Sequence, residues 1–365
     1  MRLVLLLVTT QDVIYFVCTE SMGICGAIYP LNLAVPYFCI ACKTAMINSN
    51  YRWFQGTLQR TGSVVPKVFP RAFLFGLLGL LISVLHVRGI PIALDGVGNI
   101  VPSIVLGLLL VFRTNTAYER FWEGRKLWGT INNTIRNLAR KIWVFVSESN
   151  SVDRTRKVEI LRLLVAFAVA TKLHLRQENL NTEIESLVSP QQYVKLQSMN
   201  HPPLELAFWI NDYLESQHNK GNLSTYEMIS IVQLLNQLVD CLGSCERILR
   251  TPMPLAYSIH LKQLLLLYCF FFPFEMVSRL GLLTGMFSAL TSFALLGIEE
   301  IGVEIENPFG RDSNDLPLDT ICEMMRRNIE DLITLSPSSC HWVDVVPEDA
   351  MPEDCFSPGD LNSAN

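Results

Sequence analysis

Apolar residues in this chain fall into long blocks separated by polar stretches. Ala72 to Val87 is apolar except for Ser83 and His86, and Gly96 to Phe112 is apolar except for Asn99 and Ser103. Each block is close to the lower limit of about 17 residues for a helix that crosses hydrocarbon. The link from Arg88 to Asp95 is short, so the two blocks read as a helical hairpin (spans 72–87 and 96–112). A second pair follows at 259–274 and 280–298. Ile259 to Phe274 carries Lys262 alone as a charge, placed where its stem can snorkel to an interface, and Leu280 to Ile298 carries none. The turn between them is expected at Ser278–Arg279.

Between the hairpins the pattern changes. Across residues 114–258, Tyr118, Phe121, Trp122, Arg125 and Trp128, then Ile131, Ile135, Leu138 and Ile142, recur at three- and four-residue steps, the period of a helix. Leu163 to Thr171 reads as a buried core helix. Ser224 with Glu227 forms a capping-box signature ahead of a helix that runs to Arg250. No strand alternation and no dinucleotide glycine signature stands out. The expected fold class is all-α: a polytopic membrane protein with four transmembrane helices in two hairpins and a helical cytosolic domain. Arg60, Lys67 and Arg71 precede the first span, Arg113, Arg120, Arg125 and Lys126 follow the second, and Arg247, Arg250 and Lys262 lead into the third. By the positive-inside rule both hairpins enter from the cytoplasm.

Composition agrees. Of 365 residues 50% are hydrophobic and 17% charged, against roughly 25% charged in ordinary soluble domains. A net charge of −5 and the absence of a basic, aromatic-interleaved run argue against nucleic acid as a partner. The ten cysteines build no disulfide framework; Cys39 and Cys42 have redox spacing but lie in an apolar stretch with no second pair. Residues 1–48 form an atypical apolar extension. Met22 to Cys42 is uncharged but broken by Pro30 and Pro36, which leaves a fifth span, a weak signal sequence or a start codon placed too early, Met46 being the alternative start. Residues 336–365, rich in proline and acids with no Lys or Arg, are expected to be disordered.

Chemistry is sparse. None of the six histidines has zinc-protease spacing, and no Glu-x-x-His pairing points to a di-iron helix bundle. The acids Glu299, Glu300, Glu304 and Glu306 could hold a metal, but only Glu300 and Glu304 share a helix face, and the plainer reading is a polar helix end leaving the membrane. No catalytic residue is assigned. A metal-binding membrane enzyme and a non-conducting scaffold stand as alternatives of other classes. Ile100, Ile104 and Leu108, at four-residue spacing in the second span, stack on one face. Such a stripe either faces lipid or, around a symmetry axis, forms an apolar constriction.

Three blocks carry a resemblance: Leu106 to Trp128, Cys245 to Tyr257, and Gly297 to Gly310 with Asn314 to Asp319. They resemble the bestrophin family in its bacterial and thylakoid branch, over about Tyr51 to Leu335, so the channel domain is taken as 49–335. The resemblance implies a homopentamer with a central pore, a neck on Ile100, Ile104 and Leu108, and a second, cytosolic aperture at Ile229. It implies the lipid bilayer and chloride or other small anions as partners, with a monovalent-cation pore as the alternative; Asp95 is the visible acid at the outer turn and Arg88 offsets it. Calcium-activated animal members carry a dense acidic run after the fourth span. Here Gly310 to Asp315 holds two acids and an Arg, so Glu304, Asp312 and Asp315 are at most a remnant of that belt and no cofactor is expected. The bacterial plasma membrane is the expected location, or the thylakoid in a photosynthetic source.

Overall fold

The computed structural model describes residues 62–94, 100–148 and 150–335, together with the backbone of three strands within 8–30. The side chains of residues 100–102 fall outside that description, as do Asp95, residues 31–61 and the expected disordered tail after 335. The chain divides into two units, 1–63 and 64–365.

In the first unit β1 (Val8–Thr10), β2 (Val13–Glu20) and β3 (Gly23–Pro30) form an antiparallel sheet in the order β1-β2-β3, with Val8 opposite Tyr15 and Val13 opposite Pro30. This corrects the all-α expectation for that segment. The run Val13-Ile14-Tyr15-Phe16-Val17 is β-branched and aromatic, a composition that favours strands. Gly23–Pro30 lies in a strand, so the first part of the Met22–Cys42 stretch is not a membrane helix.

The second unit is helical: α1 (Val65–Val87), α2 (Ile100–Phe145), α3 (Ser151–Leu175), α4 (Thr182–Glu185), α5 (Pro190–Gln197), α6 (Pro202–Asn219), α7 (Thr225–Arg250), α8 (Leu255–Leu280), α9 (Thr284–Glu304) and α10 (Leu318–Thr334). Two boundaries differ from the sequence pattern. The second span and the first cytosolic stripe are one unbroken helix, α2, of 46 residues, about 69 Å long. The turn after α8 falls at Gly281–Leu283, and Ser278 and Arg279 remain helical. Gly281 has φ 53°, a region that glycine enters without a Cβ clash.

Val65–Val87, Thr225–Arg250 and the α8–α9 pair are long and apolar enough to cross a membrane. α7 is nevertheless a core helix. Ile231, Leu235 and Leu238 are buried, while Gln233, Asn236 and Asp240 face outward, an amphipathic arrangement. The larger core surrounds α3, where Leu161 and every residue from Leu163 to Ala170 are buried. Buried Lys172 bonds Glu183 at 2.6 Å and Asp319 at 2.9 Å, and Arg176 reaches the same Asp319 at 2.9 Å, tying α3 to α4 and α10. The smaller core joins Val68, Leu106, Leu110, Leu261, Leu265 and Leu296 from α1, α2, α8 and α9.

Small residues set the α1–α9 crossing. A Cβ on Gly79 would stand 2.8 Å from Ser288 Oγ, and one on Gly285 would stand 3.0 Å from the Leu80 nitrogen. Such close approach between apolar helices needs residues without side chains. Ser83 Oγ donates to the Gly281 carbonyl at 3.0 Å, and the Leu94 N–H donates to the Phe274 carbonyl at 3.1 Å. These bonds align one set of helix ends; the ion pairs described next align the other.

Candidate functional site

α2 has two unlike faces. Leu106 and Leu110 are 3% and 2% exposed in the smaller core, whereas Ile104 and Leu108 are 55% and 53% exposed. The neck candidates therefore point away from their own chain, and the side chain of Ile100 lies outside the described residues. At 100° per residue the direction of Ile104 continues along α2 through Val111, Asn115, Glu119, Trp122, Arg125, Lys126, Asn133, Arg136 and Arg140, within about 60°. All of these are exposed. One face of one helix thus changes from apolar to cationic, with four basic residues against Glu119.

A polar network fixes this helix where it leaves the apolar zone. Arg113, 2% exposed, donates from Nη2 to Glu306 Oε2 at 2.8 Å. Glu306 Oε1 accepts from the Met253 N–H at 2.9 Å. Two turns on, Arg120 donates to the Ile248 carbonyl at 2.7 Å, to the Glu306 carbonyl at 3.2 Å and to the Thr251 carbonyl. Tyr257 Oη donates to the Leu109 carbonyl at 2.8 Å, one residue from Leu108. The Gly302 position would bring a Cβ within 3.2 Å of Arg113 Cγ, so α9 lies directly against the guanidinium stem. Residues from all three sequence blocks meet here; the sequence pattern had read Arg113 and Arg120 only as basic residues flanking a span and had not paired them with Glu306.

The same level of the helices carries further ion pairs. Arg71 bonds Glu300 at 3.0 Å, Lys67 bonds Glu304 at 2.6 Å, and Lys262 stands 3.9 Å from Glu299. The basic first turns of α1 and α8 and Arg113 within α2 thus share one level with the acidic end of α9. Of the acids considered as a metal remnant, Glu304 is held by Lys67. The Asp312 N–H donates to Asp315 Oδ2 at 2.7 Å. Burial pushes the Asp315 carboxyl above its usual range despite that bond. Among the described residues, Glu304, Asp312 and Asp315 do not bring three carboxylate oxygens within 4.8 Å of one another.

Ile229 lies in the first turns of α7 and is 52% exposed, as is Tyr226 at 87%. Its neighbours on the opposite face, Ile231 and Leu235, are buried. α7 is bonded to α2 through Thr134 and Gln237 at 3.4 Å and through Lys141 and Ser230. Both candidate constrictions thus lie on outward surfaces of two helices that pack together.

A family model described as Bacterial/Fungal Bestrophin protein matches residues 45–331. The chain belongs to the bestrophin family. A voltage-dependent anion channel-forming protein of Nostoc sp. PCC 7120 is 62% identical over 286 residues, 78% of this chain and 93% of that protein. One of the same description from Synechocystis sp. PCC 6803 is 53% identical over 78% of this chain and 93% of its own, and Escherichia coli K12 YneE is 30% identical over 76% and 90%. A bacterial bestrophin homologue from Klebsiella pneumoniae, crystallised with a tryptophan-to-alanine substitution, superposes with TM-score 0.69 at 27% identity, covering 75% of this chain and 99% of that one. This bestrophin is an integral membrane protein of a channel family rather than an enzyme.

Proposed function

We propose that five copies of this chain surround a central pore that conducts chloride and other small anions. Each copy crosses the membrane four times, through α1, the first part of α2, α8 and α9. The α1 helix has 23 residues, about 35 Å at 1.5 Å per residue, enough for a hydrocarbon layer of about 30 Å. Ion pairs at one level and the Ser83–Gly281 and Leu94–Phe274 bonds at the other support two hairpins entering from the same, cytoplasmic side. The bacterial plasma membrane is the host membrane in this reading.

The observation that carries the proposal is the outward face of α2. Ile104 and Leu108 leave their own chain's core and, with Ile100 one turn earlier by helical spacing, form a ring of aliphatic side chains when copies are arranged about an axis. Such a ring offers no ligand to either ion sign and gates by wetting. Selectivity then comes from the flanking charge, and the cationic stretch Arg125, Lys126, Arg136 and Arg140 raises local anion concentration. The description of the Nostoc and Synechocystis proteins as anion channel-forming supports the same sign. Ile229 forms the cytosolic aperture. Replacing Ile104 and Leu108 together by alanine should raise single-channel current or open probability in a planar bilayer. An unchanged current would sink the neck assignment.

A further inference from the structure

We propose that His174, His201 and Glu246 form a binding site for a divalent transition-metal ion of the zinc class. The three come from separate helices: His174 from the last turn of α3, His201 from the N-cap of α6, and Glu246 from the last turns of α7. His174 Nε2 stands 2.8 Å and His201 Nε2 2.7 Å from the same oxygen, Glu246 Oε1. The two rings lie 4.6 Å apart, tilted by 43°. Among the described residues this is the one group of three His, Cys, Asp or Glu donors whose ligand atoms all fall within 4.8 Å.

Two imidazoles and one carboxylate, with a fourth position left to water, are the donor set of an open zinc site. Ligand atoms around a tetrahedral zinc at about 2.0–2.1 Å stand about 3.3 Å apart, so each ring nitrogen needs to move roughly half an ångström from Glu246 Oε1. The side chains are partly exposed, and His174 lines a cavity of about 550 Å³ with Gln177, Met199 and Pro202, which gives an ion a path in. Metal on His201 Nε2 requires the Nδ1–H tautomer. That change gives up the 3.3 Å contact from the Leu204 N–H, but the same N–H keeps the His201 carbonyl at 3.1 Å. Arg250 lies 3.9 Å from Glu246 Oε2 on a largely exposed side chain that is free to swing into water. An ion here joins α3, α6 and the C-terminal part of α7, the helix whose first turns carry Ile229. The inference goes beyond the channel reading, and its test needs no conduction.

The test is titration of the purified, chelator-stripped full-length protein in detergent with ZnCl2 at pH 7.5, followed by calorimetry. One saturable site per chain is expected, with affinity reduced at least about tenfold in Glu246→Gln and in His174→Asn. No saturable binding, or binding unaltered in both variants, overturns the proposal and leaves the cluster a hydrogen-bonded clasp. Zinc-edge X-ray absorption on the loaded wild-type protein needs no variant. A shell of nitrogen and oxygen at about 2.0–2.1 Å supports the site, and sulfur at about 2.3 Å places the metal on cysteine instead.

Discussion

Replacing Arg113 by methionine probes the anchor of the candidate pore helix. The change keeps most of the side-chain bulk and removes the charge. The Arg113 side chain is 3% exposed and that of its partner Glu306 19%, so this pair is desolvated rather than a screened surface contact. Removing one member of such a pair costs about 3–5 kcal/mol, because the other charge stays behind without its partner. Glu306 keeps the Met253 N–H at 2.9 Å, which argues for the lower end, about 3 kcal/mol. At about 2–4 °C per kcal/mol that is a fall of roughly 6–12 °C in melting temperature, read by size-exclusion chromatography of heated detergent-solubilised protein. Adding Glu306→Gln removes the stranded charge and should recover at least about 1 kcal/mol, a coupling that a double-mutant cycle isolates. A melting temperature within about 2 °C of wild type for Arg113→Met, or strict additivity of the two changes, would refute the reasoning.

Three further changes test other parts of the structure. Gln177 follows the α3 C-cap with φ 57°, and its N–H bonds the His174 carbonyl at 3.1 Å while Glu178 N–H bonds Leu173 at 2.9 Å, a Schellman cap; Gln177→Gly should stabilise by about 0.5–1 kcal/mol, and a lower melting temperature contradicts the assignment. Gly285→Val drives a Cβ to 3.0 Å from the Leu80 nitrogen and 3.1 Å from the Gly76 carbonyl, backbone atoms with no room to yield, so a loss of about 1–3 kcal/mol is expected in the same assay. Burial pushes the Asp319 carboxyl up, but Lys172 and Arg176 outweigh it and hold it below the usual range. A depressed folded pKa stabilises above the unfolded value of about 3.9 and is lost as pH falls through the folded one. The stability deficit of Asp319→Asn should therefore be full at pH 6 and shrink below about pH 4; a deficit independent of pH would count against the pairing.

The membrane helices were legible because an uncharged apolar run long enough to span a bilayer is rarely used for anything else. Their ends were not. An apolar run marks the hydrocarbon, whereas helices continue beyond it, as α1 does back to Val65 and α2 does through Arg113 without a break. The turn at Gly281 had a readable signal, the glycine itself, that the charge at Arg279 obscured. The strands at Val8–Pro30 were hidden because a short β-branched run competes poorly with the overall apolar character of that segment. Ile104 and Leu108 were placed on one face by periodicity, and both are exposed on the side away from buried Leu106 and Leu110. The Arg113–Glu306 pair and the His174–His201–Glu246 cluster follow no local spacing. Both are made by distant helices meeting, information that periodicity does not carry.

Anion conduction is proposed to run through a pore whose wall α2 lines. Purified wild-type protein in a planar bilayer under a KCl gradient tests it most directly. The expected reversal potential lies close to the chloride equilibrium potential. A reversal at the potassium equilibrium potential would contradict the role given to the cationic stretch of α2, and intact protein that passes no current would contradict the pore itself.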